Sequence, residues 1–221
     1  MVLPLRLARP RTIIGAKRPA LRRRGRYVRA VSAEAGIRLP ERIEGRGLVL
    51  LRWRERDAEA FATAVTESAE HLRPWVPWVA DEQLPLGQLR PMFAQREQEW
   101  LKGGDVALAV IAGGRVAGGC GLHRLGPGTL EIGYWIHSSF LRRGLATAAS
   151  ALLTDAAFEI PGIEHVEIHH DKANVASAGI PRRLGFEFVG EQPNERPAPS
   201  DTGTDFTWRM SRGVWLARRH K

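Results

Sequence analysis

The stretch Thr129–Ala157, TLEIGYWIHSSFLRRGLATAASALLTDAA, decides the fold. Leu130, Ile132, Tyr134 and Ile136 fall at every second position, the period of a strand with one face buried. Leu145, Ala149, Leu152 and Ala156 then recur at spacings of four and three, the period of a helix with one apolar face. Between strand and helix lies Leu141-Arg142-Arg143-Gly144-Leu145-Ala146. A loop that runs straight into a helix presents main-chain N–H groups without acceptors, and the helix dipole adds partial positive charge there. Gly144 and Ala146 leave that backbone bare, and Arg142 and Arg143 add full charges. The turn therefore reads either as a cradle for a phosphate or pyrophosphate or as a surface turn with two solvated arginines. It is not a Walker loop: no GxxxxGK[ST] occurs, and no GxGxxG opens a helix.

Working outward, the flanks supply more strands. Gly47–Trp53 (GLVLLRW) reads as a first strand, and Asp57 stands where it could cap a helix carrying Ala58, Phe61, Ala62 and Val65. Gln88–Leu101 reads as a second helix, ended by Gly103-Gly104. Val106–Ala112 and Val116–Leu122 are apolar runs divided by Gly113-Gly114-Arg115, a hairpin signal. Gly118-Gly119-Cys120-Gly121 lies inside the second run and reads as closely packed strand, not as a phosphate loop. Downstream, His165–His169 reads as a strand, Asn174–Leu184 as a short helix with Pro181 inside it, and Phe186–Val189 and Asp205–Ser211 as closing strands. Four antiparallel strands in succession, then a helix, indicate an α+β sheet domain.

Composition sets the bounds. The 221 residues suit one globular domain with extensions, and 43% hydrophobic content suffices for a core. No apolar run approaches a membrane span. The single Cys120 rules out an intrachain disulfide and fits a reducing compartment, the cytoplasm. Residues 1–42 carry 12 Lys+Arg against 2 Asp+Glu, which leaves 21 basic and 22 acidic residues for the rest of the chain. The whole formal excess of +9 thus belongs to the N-terminal segment, and the domain itself offers no case for nucleic-acid binding. Residues 1–42 read as a basic, disordered extension or as a stretch upstream of the true translation start. The sharper alternative is an arm that meets RNA phosphates. No apolar h-region follows the basic residues, so a secretory signal is not expected; an Arg-rich, acid-poor leader also matches an organelle transit peptide. Residues 43–212 are the expected domain and 213–221 a basic tail.

Two blocks carry a resemblance. Glu131-Ile132-Gly133-Tyr134-Trp135-Ile136 followed by RRGLAT resembles the acetyl-CoA core of the GCN5-related N-acetyltransferases (GNAT), and most closely their RimJ/RimL-like branch, which acetylates the N-termini of ribosomal proteins. That family's loop reads Q/R-x-x-G-x-G/A; here Leu141 replaces the polar first residue, and Ala148 stands where a Glu is common. At the expected distance, Asn174-Val175-Ala176-Ser177, Leu184-Gly185-Phe186 and Gly190 resemble the N-x-x-S…LGF…G block. The resemblance spans roughly Gly47 to Arg212. It implies a mixed, mostly antiparallel sheet of six to seven strands, split between the fourth and fifth and flanked by helices.

The resemblance also implies chemistry: a neutral amine attacks the thioester of acetyl-CoA directly. Arg142, Arg143, Gly144, Leu145 and Ala146 would hold the pyrophosphate, and Tyr134, Trp135 and Ile136 would pair with the pantetheine arm and polarise the carbonyl. Glu131 is the carboxylate nearest the split and the candidate general base through a water, with Asp105 as second choice. Ser177 is the candidate proton donor to the leaving thiolate, and Asn174 is expected both to cap its helix and to bond either the substrate or the pantetheine amides. Trp75 and Trp78, in the proline-broken segment His71–Trp78, either line the acceptor side or cover the core edge. Cys120, in an apolar strand, reads as core and not as a nucleophile. No metal is assigned: His165 and His169 lie too far apart on a strand to share an ion. The acceptor is a protein N-terminal amine or a small amine. The contrasting reading is a catalytically degenerate module that binds acyl-CoA or associates with RNA.

Overall fold

A computed structural model of the chain describes residues 36–80, 86–194 and 198–219. The basic segment up to residue 35, and with it any RNA-binding arm, lies outside the described residues. Eight strands form one sheet: β1 (Arg42–Gly45), β2 (Leu48–Arg52), β3 (Val106–Ala112), β4 (Arg115–Gly126), β5 (Thr129–Ile136), β6 (His165–Asp171), β7 (Glu187–Pro193) and β8 (Thr204–Ser211), in the order β1-β2-β3-β4-β5-β6-β8-β7. Helices α1 (Ala58–Thr66), α2 (Ala69–Leu72), α3 (Pro77–Ala80) and α4 (Leu86–Lys102) precede β3; α5 (Leu145–Glu159), α6 (Val175–Leu184) and α7 (Arg212–Arg219) follow β5. The expected six to seven strands become eight because Arg42–Gly45 pairs antiparallel with β2. That strand is only four residues long and lacks an apolar run, so nothing in its pattern announces it.

The sheet is antiparallel throughout except where β5 meets β6. That parallel pairing covers only Thr129–Glu131 against His165–Glu167. β5 continues along β4 to Ile136, and β6 continues along β8 to Asp171, so the two strands part after Glu131. From Ile132 onward the edge of β5 facing β6 has no strand partner. Main-chain N–H and C=O groups demand partners when buried, and along this edge a ligand can supply them. The split expected between the fourth and fifth strands is this one, renumbered by the extra β1.

Both faces of the sheet are covered. On one side α5 packs Ala149, Leu152, Leu153 and Ala157 against Leu108, Leu122, Leu130 and Ile132. On the other, α1 and α4 pack Phe61, Val65, Leu89 and Phe93 around Trp53 and Trp135. β5 is therefore buried on both faces, not on one as its alternation suggests. The second cluster is aromatic: Phe61 makes edge contacts with Trp53, Phe93 and Trp135 and stacks on Trp78 at 5.8 Å. Aromatic pairs of this kind add roughly 0.5–1.5 kcal/mol each beyond burial.

Local signals act as read in most places. Gly113 and Gly114 both take positive φ, 57° and 75°, which closes the β3–β4 hairpin. Gly119 lies so close to the Trp135 indole that a Cβ there would stand 2.5 Å from Nε1. Cys120 is buried, and burial pushes its thiol up. Asp57 departs from its expected role. Its carboxylate accepts from the Arg54 N–H and closes a 3₁₀ turn over Glu55–Asp57, and it makes no side-chain cap on α1. Packing also begins upstream of residue 43, since Ile37 is buried and its N–H donates to Gly103 O. Nor does the chain trail off after the last strand: α7 buries Trp215, whose Nε1 donates to Asp155 at 2.8 Å.

Candidate active site

The loop between β5 and α5 is fastened before it reaches the helix. His137 accepts from the Ser139 N–H through Nδ1, which leaves its Nε2–H to donate to Glu67 at 2.9 Å. The Ser138 N–H donates to Ser68 Oγ, and Ser138 Oγ donates to Glu67 O. These bonds tie the loop to the end of α1. Arg143 then lies over the Phe140 ring at 5.1 Å, and Arg142 takes φ 60°, a conformation that costs a non-glycine residue of order 1 kcal/mol or more.

Gly144 is the N-cap of α5 with φ 74° and no side-chain cap. The first-turn N–H groups of α5 are thus left to a ligand or to solvent. A Cβ on Gly144 would meet nothing within 4 Å, so the space over the turn is open. Strain at Arg142, an uncapped helix start and two arginines in one turn fit the demands of a phosphate-bearing ligand.

This mouth opens into a cavity of about 720 Å³. Tyr134, Trp135, Ile136, Arg142, Arg143, Gly144, Leu145, Ala146, Asn174 and Ser177, all singled out in the sequence, line it together with Trp75. It runs along the unpaired edge of β5 to the start of α6. There the Asn174 side chain accepts from the Ser177 N–H at 3.0 Å, so Asn174 is an N-cap. The Tyr134 hydroxyl, pushed up by burial, donates to Ser177 O at 3.3 Å and ties β5 to α6 across the split. Arg183 adds a third cation and donates to Thr147 Oγ1 at 3.2 Å. Arg183, Thr147, His71 and Phe140 were not read from the sequence. A cation in the last turn of α6 could have been suspected only if that helix were known to lie beside α5.

Two expected residues stand elsewhere. Trp78 does not line this cavity; it stacks on Phe61 within the aromatic cluster, so it covers the core edge, while Trp75 reaches the site. Glu131 lies on the opposite face of β5 from Leu130 and Ile132, as its alternation requires, and is buried, not solvent-facing. It sits directly across from His123 on β4 and beside Glu167 on β6. His169 Nδ1 lies 3.9 Å from its carboxylate. This face is a row of buried polar groups. Arg209 donates to Glu167 at 2.7 Å, and His169 Nε2 pairs with Glu167 at 2.7 Å. Burial drives the Glu167 carboxyl up, but the His169 and Arg209 bonds outweigh it and hold it below its usual value. Asp205, on β8, is pushed up to about 6 by burial and by the charges of Asp201 and Asp171. Asp105 holds His123 on the same side of the sheet, Oδ2 to Nδ1 at 2.8 Å. Among the described residues no group of three or more His, Cys, Asp or Glu is placed to hold a metal ion.

A mostly antiparallel sheet that parts beside one short parallel pairing, with a glycine-mouthed helix over the gap, is the arrangement that the resemblance to the GCN5-related acyltransferases implies. The family model for the acetyltransferase (GNAT) domain matches residues 27–187. The chain belongs to that family and is an acetyl-CoA-dependent N-acetyltransferase. It is 26% identical over 138 residues to a Bacillus subtilis (strain 168) protein named "Putative ribosomal N-acetyltransferase YdaF", covering 62% of this chain and 75% of that one. Its fold matches RimL, a ribosomal L7/L12 alpha-N-protein acetyltransferase solved with coenzyme A, with a TM-score of 0.72 at 18% identity over 79% of this chain and 99% of that one. It also matches a ribosomal-protein-S5-alanine acetyltransferase from Vibrio fischeri, with a TM-score of 0.68 at 16% identity over 79% of this chain and 98% of that one. No helix among the described residues is long and apolar enough to cross a membrane.

Proposed function

We propose that this chain acetylates the α-amino group of a protein N-terminus, in the manner of the ribosomal-protein acetyltransferases it resembles, within the cytoplasm. Acetyl-CoA supplies the acyl group as a thioester, already activated toward an amine. The N–H groups at the start of α5, with Arg142, Arg143 and Arg183, bind the pyrophosphate. The free edge of Tyr134–Ile136 takes the place of a sheet partner for the pantetheine amides and offers N–H groups to the carbonyl. Ser177 Oγ holds the proton that the departing sulfur needs. Asn174 fixes the start of α6 and so the place of that hydroxyl. Glu131, on the other face of β5, attracts the acceptor's ammonium and takes part in removing its proton.

The observation that carries this reading is that one cavity joins the uncapped mouth of α5 to the unpaired edge of β5 and to Ser177. The protein N-terminus as acceptor rests on the relatives' activities and on Trp75, an aromatic wall at the cavity's outer side. Thiol release from acetyl-CoA, followed with a panel of short peptides and small amines, tests it. Turnover with free-N-terminus peptides, abolished when the α-amine is blocked, is expected. Turnover confined to polyamines or aminoglycoside-type amines would overturn it. The buried carboxylates Glu131, Glu167 and Asp205 make that second acceptor class the one to compare.

A further inference from the structure

A second, smaller cavity of about 50 Å³ lies on the α1/α4 face of the sheet, walled by Phe61, Trp78, Phe93 and Trp135. Its polar end carries His123 and Arg96. His123 is 8% exposed, and its Nε2 is buried without a hydrogen-bond partner among the described residues. Its other nitrogen is committed: Asp105 Oδ2 lies 2.8 Å from Nδ1. A carboxylate can only accept, so Nδ1 carries the hydrogen and Nε2 is left with a bare lone pair. Asp105 is itself held by the Arg124 N–H at 3.0 Å. Burial pushes its carboxyl up, but the His123 bond and charge, the Arg124 N–H and the Arg96 charge outweigh this and keep it ionised. A carboxylate that fixes the tautomer of an imidazole lining a cavity, with the far nitrogen left a bare lone pair, is the arrangement of a proton acceptor.

Strand register fixes what lies beside this ring. His123 pairs directly across from Glu131, Gly121 from Gly133, and Gly119 from Trp135. All six share one face, because side chains alternate along a strand. The middle row is glycine on both strands, with the Val106 carbonyl filling the place of a Cβ at Gly121, so a strip without side chains separates the His123–Glu131 row from the Trp135 indole and the free edge of β5. We propose that His123, held by Asp105, is the group that takes the proton from the acceptor ammonium, with Glu131 attracting that ammonium across the strip; the inference deepens the proposed N-acetyltransfer and rests on it. The cavity has room for a water relay. One N–H bond of the ammonium breaks, one Nε2–H bond forms, and the electron pair stays on the amine nitrogen, which becomes a nucleophile. The imidazolium faces Asp105 and Glu131 as favourable charges and Arg96 on α4 as an opposing one. Imidazole suits this task better than a carboxylate, since proton acceptors work best when their ordinary pKa lies near the working pH.

The test compares wild type with His123→Gln, Asp105→Asn and Glu131→Gln, on whichever acceptor the panel shows to be turned over, with thermal melts as a folding check. His123→Gln should lower kcat by about 10²-fold or more, leave the affinity for acetyl-CoA within about twofold, and remove the acidic limb of the kcat/KM profile. Asp105→Asn should lower kcat and alter that limb, and Glu131→Gln should raise the acceptor KM more than it lowers kcat. A folded His123→Gln variant that keeps the wild-type kcat and acidic limb overturns the proposal. Acceptor identity is read separately, because turnover of small amines alone sinks the N-terminus assignment and leaves the His123 arm standing. A measurement independent of turnover uses ¹⁵N-histidine-labelled protein. His123 should show the Nδ1–H tautomer that the Asp105 bond requires. An Nε2–H tautomer would also overturn the proposal.

Discussion

The two halves of strand β5 make the instructive comparison. Thr129–Glu131 is paired on both edges, and Ile132–Ile136 on one. The first half behaves as ordinary sheet interior and anchors the row of buried polar side chains. The second half leaves one edge without a strand partner among the described residues, and its end, Tyr134–Ile136, lines the 720 Å³ cavity. In the proposed function, one strand serves two sides of a reaction: its free backbone edge takes the acyl donor, and the side chains of the Glu131 face take the acceptor. The lesson is that the break in pairing, more than any single side chain, makes the site.

The largest effect should come from closing the donor side. Gly144→Glu places a carboxylate and a strained left-handed residue at the mouth of α5. Calorimetry should find acetyl-CoA affinity lowered by at least about tenfold, the equivalent of 1.4 kcal/mol. Unchanged affinity would remove this turn from the donor site. Next in size, Ser177→Ala should cut kcat by roughly 10- to 100-fold at unchanged donor affinity, because only the proton at Oγ is lost. Full activity would leave Ser177 as no more than part of α6.

A pair of tryptophan variants sharpens the contrast between the donor cavity and the aromatic cluster. Trp78→Ala removes a ring stacked on Phe61 and should cost about 2 kcal/mol in urea unfolding, below the 3–5 kcal/mol of a fully buried ring. Trp75→Ala should cost less stability and raise the acceptor KM more. Equal effects from both would erase the distinction drawn between them. The smallest effect concerns Asp205. Its carboxyl binds a proton more tightly folded than unfolded, so its contribution is fully present below about pH 4 and fades as pH rises through about 6. Asp205→Asn should therefore gain stability relative to wild type between pH 5 and 7. A difference that stays flat across that range would contradict the assignment.

The donor side was readable because its chemistry is main-chain chemistry, and main-chain chemistry is written in local sequence. Glycine before an apolar helix, two arginines in the turn, and an N-x-x-S start to the next helix are all contiguous signals. The acceptor side was hidden because its groups come from different strands and meet only through register. Glu131 stood out by its place beside the split, but His123 did not: the hairpin read over Val106–Ala112 and Val116–Leu122 already sets Asp105 and His123 side by side at its open end, yet His123 belongs to no motif that draws attention to it. Trp75 and Trp78 looked alike in their broken segment, and only packing against Phe61 separates them. β1 and α7 were missed for a simpler reason: a four-residue strand and a basic amphipathic helix end carry too little apolar pattern to distinguish them from tails.

The central claim is that main-chain N–H groups at the mouth of α5 and along the unpaired edge of β5 hold the acyl donor. Amide NMR during a titration with acetyl-CoA tests it most directly. The largest shifts should fall on Gly144–Thr147 and Tyr134–Ile136, with Thr129–Glu131 little changed. Binding that leaves those amides unmoved, or shifts that cluster elsewhere, would contradict the account.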